Sequence, residues 1–131
     1  VSAISKLKAR LSAYPDVRFV EDANSLRIPL VDADGFDVAL HEADGAWTVS
    51  FAGWHEECGS ADEALDLVGM GLSDSVRLKV FSRGGADYKW TLEVRESSGW
   101  REESETGLLF FRFWRRPSIR YLQNRVLRLR Q

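Results

Sequence analysis

Apolar residues recur at helical spacing at the start of the chain, at Ile4, Leu7 and Leu11, with Lys6, Lys8 and Arg10 between them, and Pro15 stops the pattern. A short amphipathic helix is expected there. Val17 to Val20 and Leu26 to Leu30 read as two strands around Glu21-Asp22-Ala23-Asn24, and Pro29 marks an edge or a strand end. Phe36, Val38 and Leu40 then alternate along one strand, as do Trp47, Val49 and Phe51 along another, and Asp44-Gly45 between them is a two-residue hairpin turn. Such a turn sets the register: Leu40 faces Val49 and Val38 faces Phe51 on the core side, leaving His41, Thr48 and Ser50 on the other.

Ser60-Ala61-Asp62-Glu63 has the form of a capping box, and Ala61, Ala64, Leu65 and Val68 follow as the apolar stripe of a second helix, which Gly69 and Gly71 are expected to end. Val76, Leu78 and Val80 form an alternating strand that Gly84-Gly85 turns into Tyr88, Trp90, Leu92 and Val94. Ser98-Gly99 turns again into Trp100 to Ser104. Gly107 then opens an apolar run, Leu108 to Trp114, read as a buried strand because both of its faces are apolar. Pro117 suits the first turn of a closing helix, with Ile119, Leu122, Val126 and Leu129 inward.

Sequential hairpins with helices before, between and after them predict an α+β fold: a single two-layer domain over 1–131, with an antiparallel sheet of about six to eight strands and N-terminal, central and C-terminal helices. A chain of 131 residues fits one domain, with no internal repeat and no low-complexity linker. The order helix, strands, helix, strands is similar to that of the type III secretion chaperone-like folds. Those proteins are small, acidic and usually dimeric, so the resemblance implies a homodimeric, partner-binding protein. The extra strand and basic helix expected after Val94 depart from that order.

Charge changes the picture more than composition does. Up to Glu105 there are 11 Lys and Arg against 20 Asp and Glu, and beyond it seven Arg and no acidic residue, so a net charge of −2 conceals an acidic body and a basic tail. Cys58 is the only cysteine, which excludes an intrachain disulfide and reads as a cytoplasmic chain. No apolar run is long enough for a transmembrane segment, and Val1 to Tyr14 lacks the pattern of a secretory leader.

Candidate chemistry is sparse. His41, Trp54, His55, Glu56 and Cys58 are the one cluster of potential ligands and nucleophiles, but continued alternation puts His55 on the face opposite His41 unless a bulge at Gly53 intervenes. There is no CxxC pair and no HExxH, so neither a metal nor another cofactor is expected. Cys58 with His55 as its base is a permissive spacing, although Glu56 and Glu57 oppose a thiolate. The reading therefore leans away from an enzyme.

The aromatic and arginine-rich end supports three alternatives. Phe111 and Phe113 can fill the core while the arginines reach solvent. Arginines with Trp114 or Tyr121 can meet nucleic acid, and Phe, Trp and Arg together suit an anionic membrane surface. The function expected is a small protein-binding or adaptor domain that acts through a protein partner or by self-association. The alternative is binding of an anionic partner, nucleic acid or membrane. The candidate interaction surface is Trp114, Arg115, Arg116, Arg120, Tyr121 and Arg128.

Overall fold

The structure, a computed structural model of the chain, describes residues 2–110 and 113–127. The described residues are mixed α+β, with two helices and two antiparallel sheets. Helix α1 (Ala3–Leu11) starts where the Ser2 hydroxyl accepts the Ser5 N–H, and it buries Ala3, Ile4, Leu7 and Leu11. Strands β1 (Val20–Glu21), β2 (Ser25–Ile28), β3 (Val38–Ala43), β4 (Ala46–Phe51) and β5 (Trp54–Cys58) form the first sheet as a meander in chain order. The β3–β4 hairpin has the register expected from its turn, with Leu40 opposite Val49 and Val38 opposite Phe51. The first strand is shorter than expected. Only Val20 and Glu21 pair, while Val17 stands before the strand and packs against the core from there.

Helix α2 (Ala61–Leu72) carries the capping box: the Ser60 hydroxyl accepts the Glu63 N–H, and the Glu63 carboxylate accepts the Gly59 N–H at 3.1 Å. The helix continues through Gly69 and Gly71 instead of ending there. At Gly71 the reason is packing, because a Cβ would lie 2.2 Å from the Phe51 ring. A glycine lets the helix rest on that ring, and its helical conformation needs nothing more than a missing side chain.

Strands β6 (Val76–Arg83), β7 (Ala86–Glu96), β8 (Gly99–Gly107) and β9 (Pro117–Leu122) make the second sheet, in the order β8-β7-β6-β9. One expected sheet is thus two. The 12-residue α2 carries the chain away from β5, so β6 starts a new ladder instead of extending the old one. The sheets meet where β5 abuts β8: Trp54 Nε1 donates to Ser104 Oγ at 3.1 Å, and Thr106 Oγ1 both accepts from His55 N and donates to His55 O. Trp90 lies on the β4–β5 turn, against Gly53, where a Cβ would stand 2.3 Å from its indole.

Two expectations for the end of the chain are corrected. No closing helix follows Pro117 among the described residues. Residues 117–122 pair as β9 with β6, from Arg83 opposite Pro117 to Leu78 opposite Leu122, because the second edge of β6 carries backbone groups that need partners. Proline is tolerated as the first residue of that outer strand. The described residues of the run from Leu108 to Trp114 do not form a buried strand either. Gly107 closes β8, and of the described residues Leu109 is 85% exposed, Phe110 86%, Phe113 71% and Trp114 68%. Phe111, also expected in the core, lies outside the described residues.

The core is built from both sheets and both helices. α2 covers β3 and β4, α1 leans on α2 and β3, and Phe51 stacks on Trp54 at 4.8 Å and tilts against Phe36 at 5.3 Å. Buried Asn124, just after β9, fastens the two ends of this assembly. Its amide donates to Phe36 O and Gly71 O and accepts the Phe36 N–H, at 3.0, 2.9 and 3.1 Å.

Candidate functional site

The β8–β9 connection is the feature that the core does not account for. It has a defined base: Leu108 N donates to Tyr88 O at 2.8 Å, and the Arg83 guanidinium donates to the carbonyls of Phe113 and Arg115 at 3.1 and 2.9 Å. Arg83 stands on the outer face of β6 at its hairpin end, so the second sheet holds the connection by its backbone and leaves the described side chains to solvent. Phe113 and Trp114 meet edge to face at 5.3 Å. Leu109 and Phe110 complete the apolar cluster, and Arg115 and Arg116 follow at its base. Neither arginine forms an ion pair with a described residue.

The other residues expected on this surface have different surroundings. Arg120 is committed to the fold: its guanidinium grips the Asp87 carboxylate through two nitrogens at 2.6 and 2.7 Å and also reaches Ser82 Oγ. That grip holds the Asp87 carboxyl below the usual carboxylate range. Tyr121 is about half exposed and lies on the outer face of the second sheet, where its ring covers one side of the Arg77 guanidinium at 4.1 Å. Trp100 covers the other at 4.4 Å, and Glu93 pairs with Arg77 at 2.6 Å. Arg128 lies outside the described residues.

The polar cluster around β5 is dispersed by the strand geometry. His41 and His55 do share a face of the first sheet, and the cause is a chain reversal at Ala52-Gly53, where Ala52 has φ +52°, and not a bulge. His41 is opposite Thr48 and His55 opposite Ser50, so β4 separates them by two strand spacings, roughly 10 Å. Cys58 is three residues from His55 along the strand and therefore on the opposite face. Its thiol is buried beside α2, and burial together with Glu56 and Glu63 pushes its pKa up. Trp54 is buried in the core. Among the described residues no group of three or more His, Cys, Asp or Glu could hold a metal ion.

Cys58 and Glu56 do belong to a different feature. The space between β5 and α2 is a groove of about 320 Å³, with Cys58, Leu67 and Met70 at its floor and Glu56, Glu57, Glu63 and Asp66 around it. Sequence reasoning missed it because its residues come from a strand and from the less buried side of a helix. Periodicity assigns each of these to solvent separately. It also missed Leu109, Phe110 and Phe113 as surface residues. The signal was present, since a run apolar on both faces between Gly107 and Pro117 has no polar parity to make it a half-buried strand.

Comparison with protein-family models, with curated proteins and with solved structures finds no match for the chain.

Proposed function

We infer that the protein is a non-catalytic binding domain that docks a protein surface through the β8–β9 connection. The observation that carries this is the contiguous exposure of Leu109, Phe110, Phe113 and Trp114 beside Arg115 and Arg116. Four large apolar side chains left in water at one place forfeit the burial that would stabilise them, at about 1.5–3 kcal/mol each. A partner that covers them recovers that free energy, and Phe, Trp and Arg are the side chains that anchor protein interfaces. The base of the connection is tied to Arg83 and Tyr88, so docking does not have to fix its two ends.

An apolar centre with two cations at its edge calls for a partner with an apolar hollow and acidic surroundings. An aromatic photo-crosslinking residue in place of Phe110 tests the reading in the cell from which the chain comes. One discrete adduct should form, and it should disappear when Arg115 and Arg116 are both replaced by Glu. No adduct from Phe110, Phe113 or Trp114 positions would refute docking through this surface.

A further inference from the structure

We propose that the partner of the aromatic connection is a second copy of this chain, and that the connection of one copy docks in the acidic-rimmed groove between β5 and α2 of the other. This rests on the docking role given above to the same connection. Each surface lacks within one molecule what the other supplies. The connection offers Leu109, Phe110, Phe113 and Trp114 with Arg115 and Arg116 and no carboxylate, since no acidic residue follows Glu105. The groove offers an apolar floor, Leu67 and Met70 beside Cys58, under four carboxylates.

Glu63 is held by the Gly59 N–H, and Asp66 faces Arg10 at 3.7 Å. Glu56 and Glu57 are exposed and form no ion pair with a described residue. Burial pushes the Cys58 thiol up, and the charges of Glu56 and Glu63 add to it, so the floor of the groove lies in a negative field. No described residue of the connection lines the groove, so among the described residues the two surfaces do not pair within one molecule.

The chemistry matches in both parts. A groove of about 320 Å³ has room for an aromatic side chain, and Met70 supplies a flexible, polarizable wall that adapts to a ring. Arginines at the edge of the docked aromatics meet Glu56 and Glu57, where they gain two-pronged hydrogen bonds to carboxylates as well as charge pairing. An anionic bilayer would satisfy the connection but leave the groove unpaired and face the acidic body with repulsion. The contact is between different surfaces, so two copies related by a two-fold axis make it twice, reciprocally, and any other relation gives rings or chains.

Sedimentation velocity of the full chain at increasing concentration reads the association directly. The wild type should self-associate at roughly 10–100 μM, the range of a small interface of this kind. Arg115→Glu with Arg116→Glu, and separately Glu56→Arg with Glu57→Arg, should each weaken it at least tenfold while leaving the circular dichroism unchanged. All four positions are exposed. An equimolar mixture of the two double variants should associate again, because each supplies the surface complementary to the other's.

A wild type that stays monomeric to 500 μM overturns the proposal, as does a mixture no stronger than its components. Should the Phe110 crosslinker capture a different protein from a chain that is monomeric alone, the docking role stands and the second copy falls. Co-sedimentation with anionic vesicles, lost in the arginine variant and kept in the glutamate variant with no self-association, assigns the connection to a membrane and overturns it equally.

Discussion

Gly69 and Gly71 stand two residues apart near the end of one helix, and replacing each by Ala should change stability in opposite directions. Both are helical, and alanine is favoured over glycine in a helix interior by up to about 1 kcal/mol, less near an end. At Gly69 a new Cβ meets nothing within 4 Å, so Gly69→Ala should stabilise the protein by about 0.5 kcal/mol. At Gly71 the new methyl would lie 2.2 Å from Cε1 and 2.4 Å from Cζ of Phe51. Ordinary carbon contacts are about 3.5–4.0 Å, so the ring or the helix must move by more than about 1 Å.

The ring has nowhere to go. Phe51 is fully buried, stacked on Trp54 and tilted against Phe36. Overpacking of this kind costs about 1–3 kcal/mol, which outweighs the propensity gain. The net expectation for Gly71→Ala is a loss of about 0.5–2.5 kcal/mol, or about 2–9 °C in Tm for a chain of this size. Urea unfolding followed by circular dichroism, with an unchanged slope, measures both variants. Phe51→Leu adds a control: it is destabilising alone, but combined with Gly71→Ala it should cost less than the sum, since the smaller side chain relieves the clash. A Gly71→Ala variant as stable as Gly69→Ala would refute the close approach of α2 to Phe51.

The clamp at Asn124 and the pair at Arg120 give two further expectations. Asn124→Ala strips partners from the Phe36 N–H, the Phe36 carbonyl and the Gly71 carbonyl and should cost about 3 kcal/mol in urea unfolding; a loss below about 1 kcal/mol would show that these groups find water instead. Asp87 has its carboxyl held below the unfolded-state value by Arg120, so its contribution is present above about pH 4 and fades as the pH falls through the lowered folded pKa. The partners are partly exposed, which limits the contribution to less than about 1 kcal/mol. Asp87→Asn should therefore be less stable than wild type by up to that amount at pH 6–7 and equal to it near pH 2, and a gap that widens in acid would contradict the pairing.

Some elements were legible in the sequence because their determinants are local. Ile4, Leu7 and Leu11 lie one helical turn apart and do face the core, Ser60 and Glu63 cap α2 from three residues' distance, and Asp44-Gly45 sets the β3–β4 register without help from elsewhere. Gly84-Gly85 likewise turns β6 into β7, although the register shifts between Phe81 and Ser82. Each depends on backbone geometry within a few residues, where spacing is sufficient to specify structure.

The tertiary structure decided what depends on a distant partner. Ile119 and Leu122 satisfy a helical period, yet 117–122 is a strand because β6 offers it an unpaired edge, and no spacing within 117–122 encodes that edge. Gly71 looked like a helix stop until Phe51 was seen to occupy the place of its side chain. The apolar run after Gly107 is hydrophobic enough for a core, but the sheets and helices had already filled the interior, and Arg83 and Tyr88 hold its backbone at the surface. Hydrophobicity states that a side chain gains by leaving water. Which surface takes it out of water is a property of the packed molecule, and the chain's own core does not do so for Phe110 and Trp114.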